Sequence, residues 1–197
     1  MNQIMKDTFS VILQEIEACK KQPMLIAIEG RCASGKTTLA DRLEEKLKCN
    51  VIHMDHFFLR PQQRTKKRLS EPGGNVDYER FLEEIILPFK KGKPFSYREF
   101  NCKSMDFVSE IQVEPNRLTI VEGAYCCHPQ LWDFYDLRVF LNVEPEEQLR
   151  RIRGRNGEKA LLTFRNRWIP LEEQYFTAYH IAERCDYVFE SAPYPVA

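Results

Sequence analysis

The sequence predicts an α/β fold, a three-layer α/β/α arrangement around a mostly parallel sheet of roughly five strands. Three observations predict it. Short apolar runs rich in Val, Ile and Leu alternate along the chain with segments of helical periodicity, the pattern of a parallel sheet covered on both faces. The first such run, Met24 to Glu29, leads directly into Gly30-Arg31-Cys32-Ala33-Ser34-Gly35-Lys36-Thr37. That stretch reads G-x-x-x-x-G-K-T, is followed by Thr38, and runs into Leu39 to Leu47, which has helical spacing. Strand, glycine loop and helix in this order form the context of a phosphate-binding P-loop. Backbone N–H groups of such a loop wrap phosphate oxygens, and the helix N-terminus adds its partial positive charge.

The elements follow in order. Ile4, Met5, Phe9, Ile12, Leu13 and Ile16 have helical spacing and predict an amphipathic helix packed on the sheet. The second strand is Asn50 to Met54, ending at Asp55. Arg60 to Ser70 is polar and basic and reads as a mobile loop, and Pro72-Gly73-Gly74 as a turn. Tyr78 to Phe89 is helical through Phe81, Leu82, Ile85 and Ile86. Phe95 to Phe100 and Phe107 to Val113 alternate in part and predict a small β-excursion over about 90–115. Leu118 to Gly123 is a clear strand, Pro129 to Phe134 a short helix, and Leu137 to Val143 another strand. Pro145 opens a helix at its preferred early position; that helix runs to Arg153 and meets Gly154 and Gly157. A long helix over Lys159 to about Glu183, bent at Pro170, and a strand at Asp186 to Glu190 complete the chain. The expected organisation is one domain, 1–197, with a lid over about 150–160.

Composition narrows the function. The 197 residues carry 29 Lys+Arg and 29 Asp+Glu, so no net charge draws the chain to nucleic acid or an acidic membrane. Hydrophobic residues make up 43% and charged residues 29%, ordinary for a globular domain. No apolar run approaches a membrane span, and Met1 to Lys21 has no signal-peptide core. A cytoplasmic protein with neither nucleic-acid nor membrane partners is expected. The seven cysteines form no C-x-x-C pair and read as reduced thiols. Cys126-Cys127 with His128 nearby lacks further ligand spacing for zinc. Cys32 lies inside the glycine loop, where its oxidation would block a nucleotide.

In open α/β sheets ligands bind beyond the carboxyl ends of the strands. One strand ends in the loop, a second in Asp55 and a third in Glu122-Gly123. Phosphoryl transfer needs this inventory: a cation clamp, a metal, and a carboxylate that positions or deprotonates the acceptor hydroxyl. Gly30 to Thr38 would hold ATP, with Lys36 on its β- and γ-phosphates. Thr37 would hold Mg²⁺, and Asp55 and Glu122 would face the metal and the transferred group. Arg150, Arg151, Arg153 and Arg155, with Arg165 and Arg167 beyond, form a lopsided basic run beside mobile glycines. It suits a lid that brings Arg153 and Arg155 to the phosphoryl group.

With these residues in hand, the chain resembles the uridine kinase family of P-loop kinases, whose relatives include the pantothenate, nicotinamide riboside and phosphoribulose kinases. The resemblance spans nearly everything from Met24 onward. It rests on Met54-Asp55-His56-Phe57-Phe58, Asn75-Val76-Asp77 before a helix, Glu122-Gly123 and the arginine-rich lid. It implies that Asp55 is the general base, that Asp77 binds sugar hydroxyls and that Glu122 lies near Mg²⁺. The uridine–cytidine members carry Tyr-Asp-Phe and a histidine a few residues on. Here Tyr97-Arg98-Glu99-Phe100-Asn101-Cys102 keeps the tyrosine, displaces the second aromatic and lacks the histidine. Tyr97, Arg98 and Phe100 are the candidate acceptor contacts, and Arg98 suits an anionic or carbonyl-rich group. The expected activity is transfer of the ATP γ-phosphate to an alcohol, a nucleoside first. A pantothenate-like or sugar acceptor, or a non-catalytic ATP-responsive switch, are the alternatives, and a homo-oligomer stays open. The roles of Asp55 and Glu122 stay exchangeable, since either carboxylate reaches the metal through water.

Overall fold

The computed structural model describes residues 3–191, with side chains from residue 8 onward. Helix α1 (Gln3–Ala18) precedes strand β1 (Met24–Gly30), helix α2 (Lys36–Leu47) and strand β2 (Asn50–His53). The short helices α3 (Lys66–Ser70), α4 (Tyr78–Phe81) and α5 (Leu87–Lys91) lead to the hairpin of β3 (Phe95–Asn101) and β4 (Asp106–Val113). Strands β5 (Leu118–Glu122) and β6 (Leu137–Asn142) follow, then helices α6 (Pro145–Thr163), α7 (Ile169–Tyr179) and α8 (Ile181–Arg184), and strand β7 (Tyr187–Glu190).

Five strands form one all-parallel sheet in the order β2-β5-β1-β6-β7. Every residue of β1 is buried, as a central strand covered on both faces requires. Alternate residues of β1 enter opposite cores. Ile26 and Ile28 pack with Ile12 of α1 and with Leu39 and Leu43 of α2. Leu25 and Ala27 pack with Phe81 of α4, Phe140 of β6, and Tyr175 and Phe176 of α7. The three layers follow from this period of two. Ile4 and Met5, expected on the inner face of α1, lie outside the described side chains.

Three expectations are corrected. The segment 60–70 is built rather than loose. It forms a 3-10 turn (Pro61–Gln63) and α3, whose N-cap Thr65 accepts from the Arg68 amide. The Arg68 side chain donates to the carbonyls of Gly74 (3.0 Å) and Val76 (2.9 Å), pairs with both oxygens of Glu79, and stacks on Tyr78. Pro129 to Phe134 yields only a 3-10 turn at Trp132–Phe134. The long helix expected from Lys159 is divided: α6 continues through the lid to Thr163 despite a break at Gly157 (φ 80°, ψ 170°), and α7 ends at His180, which is left-handed. Pro170 does not kink a continuous α-helix. It follows a π-helical turn, Phe164–Trp168, just as Pro88 follows the π-helical turn Leu82–Ile86. A proline cannot donate to the carbonyl four residues back, and widening the preceding turn removes the clash.

Glu29, the penultimate residue of β1, has no exposed surface. Its carboxylate accepts from the amides of Gly30 (2.9 Å), Tyr125 (3.1 Å) and Cys127 (3.0 Å) and from the Tyr175 hydroxyl (3.1 Å). It thereby joins β1, the turn after β5, and α7. Burial pushes its pKa up to about 7, against the donors and Lys36, which lower it. Glu29, Cys126 and Cys127 lie within 4.8 Å of one another. Both thiols are fully buried, and burial raises their pKa values, that of Cys126 to about 12. A carboxylate with four donors beside two protonated thiols is a structural knot. His128 stands apart from it, stacked on Tyr78 at 4.3 Å, with burial lowering its pKa to about 4.

Glu29→Gln replaces one acceptor oxygen by an N–H₂ group that faces donors. The unfolding free energy should fall by about 2 kcal/mol, seen as a lower urea midpoint at unchanged slope. An unshifted midpoint would show that the four bonds contribute nothing net.

Candidate active site

The glycine loop leaves β1 at Gly30, whose φ is +143°. A Cβ there would stand 2.1 Å from the Leu141 carbonyl oxygen, so only glycine lets β1 and β6 remain adjacent at this point. Gly35 is left-handed (φ 101°) and caps the N-terminus of α2. The Lys36 ammonium is nearly buried and donates to the carbonyls of Gly30 (2.8 Å) and Arg31 (2.9 Å). The Ser34 hydroxyl oxygen is buried and has no hydrogen-bond partner. A buried polar atom left unpaired is costly, and an orphan inside a phosphate loop fits an anion taken up by that loop.

Helices α6 and α7 grip the loop from outside. The Gln148 amide donates to the Cys32 carbonyl (3.0 Å) and an Arg151 guanidinium nitrogen to the Ala33 carbonyl (2.9 Å). Glu172 accepts from the Cys32 amide (2.9 Å), and Arg31 binds Asn142 (2.6 Å) and Glu173 (2.7 Å). Burial raises the pKa of the Cys32 thiol, and the neighbouring charge of Glu172 adds to the rise. The thiolate that oxidation needs is therefore disfavoured, against the redox sensitivity expected for this position.

Two strand ends converge beside the loop. Glu122 closes β5; Asp55 lies just past β2 in the 3-10 turn Met54–Phe57. Gly123 permits this approach: its φ is +134°, and a Cβ would meet Met54 Cβ at 2.9 Å. The Thr37 hydroxyl lies 3.2 Å from a Glu122 oxygen, and His53 Nδ1 lies 2.6 Å from the other. The Glu122 hydrogen bond raises the His53 pKa. The Asp55 carboxyl has surface open to the cavity. Loss of bulk water around it and the charge of Glu122 raise its pKa; Lys36, His53 and Arg155 oppose the rise.

These groups line one cavity of about 710 Å³. Lys36, Thr37, Thr38, Asp55 and Glu122 stand in its wall, as do Arg150, Arg151 and Arg155 from α6. Arg153 does not join them; it is exposed and pairs with Glu158 at 2.8 Å. The expected acceptor contacts Asp77, Tyr97, Arg98 and Phe100 also lie outside the wall; Phe100 is buried against Phe107. Asp77 is buried, caps α4 through the Arg80 amide and accepts from Gln63 (2.9 Å). Tyr97 is buried, stacked on Phe57 at 5.5 Å, its hydroxyl 3.4 Å from His56 Nδ1. Arg98 pairs with Glu84 and lies over the Phe107 ring. The hairpin reaches the cavity through its turn instead, with Cys102 and Met105.

Arg64, Asn75, Arg167, Trp168 and Glu172 also line the cavity; the sequence names Arg167 only as the tail of the basic run and Asn75 only within the motif before α4, and gives Arg64, Trp168 and Glu172 no place in the site. Arg64 stood in a segment taken for a loose loop. Arg167 and Trp168 ride on the π-helical turn, whose phase differs from that of an α-helix. Glu172, on α7, carries a pKa raised by burial; its position two residues after Pro170 was the one available signal.

The profile of a family described as an AAA domain matches residues 26–168. Uridine kinase-like protein 5 of Arabidopsis thaliana is 26% identical over 173 residues, covering 79% of this chain and 37% of the relative, so the chain spans little more than a third of that protein. The uridine kinase of Ureaplasma parvum is 26% identical over 171 residues, covering 79% of this chain and 83% of the relative. Among solved structures, a possible uridine kinase from Bacillus stearothermophilus superposes with a TM-score of 0.73 at 20% identity, over 94% of this chain and 98% of that one. Phosphoribulokinase from Rhodobacter spheroides gives 0.56 at 14% identity, over 87% and 71%. Among the described residues no helix is long and apolar enough to cross a membrane. The phosphate loop within the matched span, the parallel sheet around it and these relatives agree: the chain belongs to the AAA-domain family of P-loop proteins, with the uridine kinase-like kinases as its relatives.

Proposed function

We propose that the protein is an ATP-dependent kinase acting on a small-molecule alcohol, with 1–197 working as one P-loop unit. The observation that carries this reading is the meeting of Asp55, Glu122, Lys36 and Thr37 in one cavity. A nucleotide switch needs no carboxylate aimed at an acceptor; a kinase does. The loop residues Gly30 to Thr38 bind the phosphates of ATP through their amides. The Lys36 ammonium, freed from two carbonyls, and the lid arginines Arg151 and Arg155 offset the charge of the transferring group. Thr37 and Glu122 supply hard oxygen ligands suited to Mg²⁺. Bound there, the metal would neutralise phosphate charge. His53, hydrogen-bonded to Glu122, holds that carboxylate in place.

Asp55 takes the proton of the acceptor hydroxyl. The acceptor oxygen forms a bond to the γ-phosphorus, the bond from that phosphorus to the β–γ bridging oxygen breaks, and ADP leaves. The names of the relatives make a nucleoside the first acceptor to consider. A specific observation favours a different alcohol: Tyr97 and Arg98, the counterparts of the nucleobase segment, contribute nothing to the cavity wall.

A coupled ADP-release assay with Mg-ATP and a panel of alcohols tests the activity; ADP release that no alcohol accelerates would remove the kinase reading. Asp55→Asn should lower turnover by about a thousand-fold while leaving the ATP dissociation constant, measured by calorimetry, within about three-fold, because Asp55 is not needed to bind phosphate. Preserved turnover would exclude Asp55 as the base. The pH profile carries a further expectation. A base works deprotonated, and the pKa of Asp55 is raised from 3.8. Activity should therefore fall with falling pH along a limb centred above the ordinary aspartate value, and Asp55→Asn should remove that limb from the residual rate. A wild-type limb centred at or below 3.8 would contradict the assignment.

A further inference from the structure

The cavity has a second lobe of about 310 Å³, which shares Arg64, Asn75, Arg167 and Trp168 with the main one. Its wall holds two guanidinium groups, from Arg64 and Arg167, and the amides of Asn75, Asn166 and Gln174; it includes no carboxylate. Most arginines near the site are neutralised. Arg150 and Arg151 pair with Glu147, Arg153 with Glu158, Arg31 with Glu173 and Arg98 with Glu84. Arg64 and Arg167 have no ion pair among the described residues. The Arg167 guanidinium lies over the ring of Trp168, 4.6 Å from its centroid, so its flat face is covered while its N–H edge stays available.

A guanidinium offers five N–H donors and no acceptor, and its fork matches carboxylate and phosphate oxygens. Two such groups in an acid-free lobe, joined by amide donors, recognise an anion. The lobe lies beside the chemistry: Arg64, which lines it, also lines the main cavity together with Asp55 and Cys102. One molecule can reach both places.

We propose that the phosphate acceptor is an anionic alcohol whose carboxylate or phosphate group seats between Arg64 and Arg167 while its hydroxyl lies at Asp55. This deepens the kinase reading above and rests on it. The lobe thereby selects against neutral nucleosides, which offer no charge to the paired guanidinium groups, and Arg64 and Arg167 act as specificity residues on the acceptor and not on ATP.

The experiment uses the full chain loaded with Mg-ADP, so that the phosphate loop is already filled. Inorganic phosphate and D-glycerate are titrated separately into wild type and into the double variant R64Q/R167Q by calorimetry. Neither arginine packs in the core, and thermal unfolding of the variant verifies its fold. Wild type should bind at least one of the two anions, the preferred one identifying a phosphate or a carboxylate headgroup. The double variant should lose about ten-fold or more in that affinity with its affinity for Mg-ADP unchanged within about two-fold. Wild type that binds neither anion, or a double variant that binds as well as wild type, overturns the proposal and leaves the kinase reading intact. Wild type that fails to bind Mg-ADP overturns the kinase reading, and the anionic acceptor with it. Turnover gives a second arm in matched pairs: glycerate against glycerol, ribose 5-phosphate against ribose, and pantothenate against its alcohol. The charged member of a pair should be preferred by about a hundred-fold in kcat/KM, with the variant raising its KM while the KM for ATP stays constant. A neutral member used as well as its charged partner overturns the proposal.

Discussion

The buried carboxylate of Glu29 is the constraint on which the site depends. It stands one residue before the glycine loop and takes donors from β1, from the turn that follows β5, and from α7. The same turn begins immediately after Glu122, and the same helix carries Glu172 and Glu173, which hold the loop. One side chain therefore fixes the relative positions of the phosphate loop, a cavity carboxylate and the helix behind the lid. Its cost is visible in a pKa raised to about 7. Burying a charge is unfavourable unless hydrogen bonds replace water. Here four of them do.

Charge is divided across the cavity in a way that matches phosphoryl transfer. Asp55 and Glu122 lie on the strand side, and their mutual repulsion contributes to the raised Asp55 pKa. Lys36 and Arg155 soften it from the loop and the lid. A cavity lined by groups of both signs can hold a polyanion beside a proton acceptor.

The central architecture was legible in the sequence because its signals are local. An apolar, isoleucine-containing run before G-x-x-x-x-G-K-T specifies strand, loop and helix without reference to anything distant. The hairpin at 95–113 was legible from alternation. Asp55 and Glu122 were found because strand ends of an α/β sheet share one edge. What escaped detection depends on contacts far apart in sequence. The segment around Arg68 looks loose until Glu79 and two carbonyls are seen to pin it. Arg153 is separated from Arg155 by Gly154 alone, and spacing alone does not say which of the two lines the cavity. Asp77, matched to a sugar-binding position, is used here as a helix cap and by Gln63. Arg167 and Trp168 owe their aim to a widened helical turn that composition does not announce, although the proline behind it marks the place.

Gly157 adds a mechanical consequence. Its dihedral angles interrupt α6, and nothing lies within 4 Å of the position a Cβ would occupy. The helix is thus two rods on a single pivot. The rod before the pivot carries the arginines that face the loop; the rod after it leads into the turn bearing Arg167 and Trp168. Rotation about two bonds of one residue would change the separation between these two groups of cations while leaving both rods intact. The length of molecule that the cavity can span therefore varies with the φ and ψ of one residue.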